Sequence, residues 1–125
     1  MNSKFTKVLF LVVILLITQN LFAQATGSLS GTVTDQAGAL IQGATVTVKN
    51  SGTNLTRNVT TNNDGYWTLQ VLPVGTYSIT YEKQGFKKSI GENVEVEASV
   101  PRTVSVSLEV GGADAVVTIT SDQSL

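Results

Sequence analysis

Cysteine and histidine are both missing from the 125 residues. Without them the chain has no thiol nucleophile, lacks the commonest general base, and carries none of the usual transition-metal ligands. It also has no disulfides, so stability has to come from packing. Proline occurs only twice and aromatic residues make up 6%, which leaves neither a proline-rich spacer nor a broad aromatic platform. Positive charge is scarce as well. The formal net charge is −1, and a mildly acidic surface gives no footprint for phosphate backbones, so no nucleic-acid partner is expected. Beyond the first 25 residues, no window sustains apolar residues at helical spacing.

The first 25 residues read as a targeting signal. Lys4 and Lys7 form a positive start, residues 8–17 are an unbroken apolar run, and Ala23-Gln24-Ala25 offers small residues where a signal peptidase reads. Cleavage is expected after Ala25. Cleavage after Ala23 would put bulky Leu21 in a small-residue slot. Residues 8–22 fall short of the roughly 20 needed to span a bilayer, which argues against a retained anchor. The expected organisation is a signal peptide at 1–25, one domain at 26–110, and a linker or the start of another element at 111–125. The mature chain carries six basic residues against nine acidic ones. Export implies an envelope or extracellular home, where disulfides would form if cysteines were available.

The mature part is patterned as short strands separated by turn residues. Leu29, Gly31 and Val33 alternate with polar neighbours, as do Ala44, Val46 and Val48. A polar run at 55–61 suits a sheet edge and leads into Asn62-Asn63-Asp64-Gly65, which predicts a tight hairpin. Trp67, Leu69 and Val71 are expected inward on a fourth strand, and Leu72-Pro73-Val74-Gly75 fits a type I turn. Tyr77, Ile79 and Tyr81 form the inner face of a fifth strand. A sixth lies within 85–97, anchored by Ile90, Val94 and Val96. The run 102–109 follows Pro101 and turns Val104, Val106 and Leu108 inward. The spacing predicts an all-β, seven-stranded antiparallel β-sandwich of immunoglobulin-like or transthyretin-like type. Residues 116–120 lie beyond what that sandwich needs.

No constellation of catalytic residues emerges, and no enzyme is expected. Lys88 and Ser89 are sequence neighbours and point to opposite faces of a strand. Glu92, Glu95 and Glu97 look solvated, not like a shielded carboxylate pair. The segment 60–65 echoes a calcium loop, but Thr60 stands in place of the first carboxylate and Val71 in place of the bidentate glutamate. Asn54-Leu55-Thr56 and Asn58-Val59-Thr60 match the glycosylation pattern and mark a surface. With Trp67, Tyr77 and Tyr81 turned inward, Tyr66 and Phe86 are the candidate ligand-facing aromatics. A sugar site would need them close together, near polar groups such as Asn62 or Gln70. Exposed edges at 55–61 or 116–120 would allow pairing with another chain.

Several of these pieces occur in a known order. Ser30-Gly31-Thr32-Val33, Asp35, Gly38, Gly43-Ala44-Thr45-Val46, Asp64-Gly65-Tyr66-Trp67, Leu72-Pro73-Val74-Gly75-Thr76-Tyr77 and Gly85-Phe86 together resemble the carboxypeptidase regulatory-like domain family. The resemblance covers about 27–108. It implies a prealbumin-like sandwich, grouped with carbohydrate-binding-like folds, that is accessory and noncatalytic and uses no cofactor. It further implies turn roles for Gly38, Gly43, Gly65 and Gly75, and core roles for Trp67, Leu69, Leu72 and Tyr77. Such domains commonly open the TonB-dependent outer-membrane receptors of Gram-negative bacteria, ahead of the plug and barrel, and residues 110–120 look like the lead toward a plug. The 125 residues contain neither plug nor barrel, so the chain is expected to be a receptor fragment or a stand-alone remnant. The expected partners are an envelope protein or that downstream part, with carbohydrate as the alternative. Mass spectrometry of the exported protein should find Thr26 at its N-terminus; a chain still carrying residues 1–25 would contradict the signal reading.

Overall fold

A computed structural model describes residues 2–17, 24–112 and 114–120. Ala23 of the cleavage motif and residues 121–125 lie outside them. The apolar start is a helix, α1 (Ser3–Ile17). No described helix is long and apolar enough to cross a membrane. The strands are β1 (Thr26–Asp35), β2 (Thr45–Asn50), β3 (Thr56–Thr60), β4 (Tyr66–Pro73), β5 (Gly75–Glu82), β6 (Lys88–Val96), β7 (Pro101–Thr103), β8 (Val106–Leu108) and β9 (Val116–Thr120).

Two sheets enclose one core. In the first, β1 is central, with β4 on one side and β7 and β8 on the other. The second runs β3-β2-β5-β6-β9. Alternation in the sequence chose the buried faces. Leu29 and Val33 of β1, Val46 and Val48 of β2, and Tyr77, Ile79 and Tyr81 of β5 are all buried, and they meet Trp67, Leu69 and Leu72 of β4. Trp67 and Tyr81 pack edge to face, with centroids 6.2 Å apart at 67°. Among the described residues polar β3 pairs only with β2, so it is an edge, as its composition predicted.

The architecture is the expected sandwich, but details of strand number and direction differ. The run 102–109 is interrupted at Val104 and Ser105, giving two short strands, and both pair parallel with β1. The first sheet is therefore mixed and not purely antiparallel. The break turns the Val104 carbonyl toward β1, where it takes the space of a side chain: a Cβ on Gly31 would clash with that oxygen. Gly31 is thus required by a close backbone approach and not by turn geometry. Val104 also donates its N–H to the Ser30 carbonyl at 2.7 Å.

Two bulges displace the inner face by one residue. Along β4 the register passes from Gly27↔Leu72 to Leu29↔Leu69, so three steps of β4 match two of β1. Val71 is consequently 69% exposed, contrary to its expected inward place, and Leu72 is fully buried instead. Val71 has φ 57°, a left-handed conformation that is costly for a β-branched residue. The second bulge lies on β6, between Tyr77↔Val94 and Ile79↔Gly91, with Asn93 at φ 57°. It leaves Val94 and Val96 buried as expected, and places Ser89 inward and Ile90 on the outer face.

Both predicted turns carry the chain between sheets. Asn62 Oδ1 accepts the Asp64 and Tyr66 amides at 2.9 and 3.0 Å, which fixes a tight turn. Its flanking strands belong to different sheets, so it is not a hairpin. At 72–75 there is no four-residue turn: β4 runs to Pro73 and β5 begins at Gly75, leaving a bend at Val74. The Tyr77 hydroxyl donates to the Pro73 carbonyl at 2.6 Å and braces this corner. Residues 116–120, expected beyond the sandwich, form β9 and pair parallel with β6. All five of these residues are β-branched, which suits the edge that β6 offers.

Two substitutions test these constraints, with unfolding in denaturant followed by Trp67 fluorescence. Gly31→Ala should lower stability by about 3 kcal/mol or more, because the Val104 carbonyl must move. Val71→Asn should raise it by about 1 kcal/mol, since asparagine tolerates the left-handed conformation and the position is exposed.

Candidate functional site

Strand β5 ends at Glu82 on the outer face, and Lys83 to Gly85 turn the chain back into β6. Phe86 N–H donates to the Lys83 carbonyl at 3.0 Å, closing that turn. The segment after β8 pins it from the other side: Lys87 N–H donates to the Glu109 carbonyl at 2.7 Å, and Lys87 Nζ lies 3.1 Å from Glu109 Oε2. Phe86 is held half-buried against the core. Antiparallel pairing of β5 with β6 brings Glu82 beside Lys88, with Oε1 and Nζ 2.9 Å apart. An exposed pair of this kind adds little stability, about 0–1 kcal/mol.

These residues bound an open groove of about 440 Å³, lined by Gly43, Thr45, Glu82, Lys83, Gln84, Phe86 and Lys88. It presents one aromatic ring, two ammonium groups, a carboxylate, an amide and a hydroxyl. That inventory suits reversible contact with a polar ligand. A second, more polar hollow of about 280 Å³ lies on the same sheet, among Lys49, Ser51, Asn54, Ser78, Glu92 and Asn93.

Of the two aromatics singled out from sequence, Phe86 lines the groove and Tyr66 does not, so the close pair expected of a sugar site is not formed. Tyr66 is 42% exposed on β4, in the other sheet, with its amide bonded to Asn62. Sequence reasoning missed Glu82, Lys83, Gln84 and Lys88. Alternation along β5 turned Glu82 outward, but only strand register shows that Lys88 meets it.

The weaker chemical candidates are spent on structure. Asn62 Oδ1 is committed to backbone amides. Glu92, Glu95 and Glu97 are exposed. Lys88 faces out to Glu82, while the Ser89 hydroxyl is buried without a hydrogen-bond partner among the described residues. Among the described residues no group of three or more acidic, histidine or cysteine side chains is placed to hold a metal ion. In the core, Thr61 Oγ1 accepts the Ala44 amide and donates to the Ile41 carbonyl, at 2.9 and 2.7 Å. Burial pushes the Tyr81 phenol above the usual tyrosine range.

With the geometry in place, comparison with known proteins is decisive for the family. Residues 28–109 match the model of the carboxypeptidase regulatory-like domain. The chain belongs to this family. The family is a regulatory-like domain type, and the match ends before β9. Comparison with curated proteins finds no match. Among solved structures, the Bacillus anthracis TIE protein is 27% identical with a TM-score of 0.60, over 69% of this chain and 17% of that one. A Bacteroides uniformis protein thought to bind carbohydrate is 19% identical with a TM-score of 0.56, over 67% of this chain and 41% of that one. Catechol 1,2-dioxygenase of Acinetobacter radioresistens is 15% identical with a TM-score of 0.55, over 82% and 57%. The chain therefore spans from under a fifth to somewhat over half of these proteins. The last two likenesses are of fold alone.

The Tyr81 phenol gives a pH test. Its folded pKa is raised, so the folded state holds the proton more tightly than the unfolded chain does. The resulting stability is complete below the unfolded value of about 10 and is lost as pH rises beyond it toward the folded value. Denaturation midpoints should fall above about pH 10, and Tyr81→Phe should flatten that fall.

Proposed function

We propose that this is a noncatalytic accessory domain of the bacterial cell envelope, the N-terminal periplasmic module of a TonB-dependent receptor-like protein. The observation that carries the proposal is the order of parts: a short apolar segment headed by Lys4 and Lys7, then directly the family domain from residue 28. A small rigid sandwich of this kind contributes by its surface and by the spacing it enforces. Two tests bear on this. The exported chain should appear in the periplasmic or outer-membrane fraction, and the gene should continue in frame past the Leu125 codon into a plug and barrel. Cytoplasmic retention contradicts the envelope assignment, and a stop codon after Leu125 contradicts the receptor.

The groove at Phe86 favours a second reading, in which the domain is a carbohydrate-binding module. Phe86 supplies an apolar ring, and Thr45, Gln84 and the Glu82–Lys88 pair supply polar groups around about 440 Å³. A glycan array followed by calorimetry should then find a ligand whose affinity drops at least about tenfold with Phe86→Ala and is unchanged with Tyr66→Ala. Equal binding by the Phe86→Ala variant places no sugar in this groove.

A further inference from the structure

Strand β9 joins the sandwich from beyond the family match. It lies after the family domain, which ends at residue 109. Among the described residues its ladder is with β6 alone, parallel from Lys88↔Val116 to Glu92↔Thr120. Val116 and Ile119 remain 54% and 46% exposed, so the strand gains backbone pairing and buries little apolar surface. The connection that delivers it begins with Gly111-Gly112, and at Gly112 nothing lies within 4 Å of where a Cβ would stand. Gly111 N–H is tied to the Gly85 carbonyl at 3.1 Å, so the chain from Gly112 onward is the part free to swing, and a strand secured by one ladder with half-exposed side chains costs little to detach.

We infer that β9 is an exchangeable strand, leaving the β6 edge of its own domain and pairing with the β6 edge of a second copy of this chain. Detachment exposes two complementary elements, the Lys88–Glu92 edge and the freed strand. An unrelated partner would satisfy one of them, whereas reciprocal exchange between two copies satisfies both. The traded pairs are the same in cis and in trans, so the net cost is that of association. The exposed edge is what makes the site receptive, and the residues that already occupy it define the sequence it accepts. The exchange does not depend on what the Phe86 groove binds.

The absence of cysteine makes the test direct. Ile90 and Thr118 are Cα partners on β6 and β9. Full-length Ile90→Cys and Thr118→Cys chains with different tags are mixed and oxidised, and a mixed disulfide between them forms in register only if β9 of one copy lies on β6 of the other. The expected result is a roughly tenfold excess of mixed over like disulfides, given the narrow geometry a disulfide accepts. That excess should be lost with Val117→Pro in the strand-donating chain, while Trp67 fluorescence shows that both chains remain folded. Sedimentation of the unaltered chain should show a species of twice the monomer mass. No excess of the mixed disulfide, with an Ile90→Cys/Thr118→Cys double variant closing only within its own chain, overturns the inference. So does the absence of any disulfide in either arrangement.

Discussion

One close approach closes the sandwich: the Val104 carbonyl fits against Gly31 where any other residue would carry a Cβ. This contact lets the last part of the domain lie parallel beside β1. The same carbonyl is approached by the Tyr81 hydroxyl across the core at 3.5 Å, and Tyr81 packs on Trp67. The Trp67 indole nitrogen faces this region, buried and without a hydrogen-bond partner among the described residues. An unpaired buried donor costs about 1–3 kcal/mol, a loss that the packing of the large ring offsets. First strand, last strands and both sheets therefore meet at a single slot sized for glycine.

The two bulges keep the remaining side chains turned toward that core. Each adds one residue to one strand of a pair, and each carries a non-glycine residue at positive φ, Val71 in β4 and Asn93 in β6. A bulge increases local twist, which helps two short sheets curve over a small core. The strain at Val71 is the local cost of seating Leu72 inside.

Regular alternation was legible in the sequence wherever the strand is regular. The inner faces of β1, β2 and β5 and the polar edge β3 follow from period-two patterning alone. Where one residue is inserted, the pattern misleads by one position, which is why Val71 rather than Leu72 reads as inward and why Ile90 reads as an anchor. The turn at 62–65 was legible because asparagine and glycine chemistry is local. Which sheet the next strand joins depends on distant partners. The break at Val104 was hidden because alternation continues across it, and β9 was hidden because its docking edge is created by the fold. At the groove, Phe86 could be found as an aromatic without an inward place, whereas Glu82 and Lys88 become neighbours only through register.

The central claim is that one rigid sandwich runs from Thr26 to Leu108 and is closed over Gly31 by Val104. Native-state hydrogen exchange at the Val104 amide tests it most directly, because that amide donates to the Ser30 carbonyl at the closing contact. The account predicts that this amide is protected as strongly as those of Val46 and Ile79 in the central strands. Exchange as fast as that of an exposed loop amide would contradict it, and would mean that the last strands are an attachment to the sandwich and not its closure.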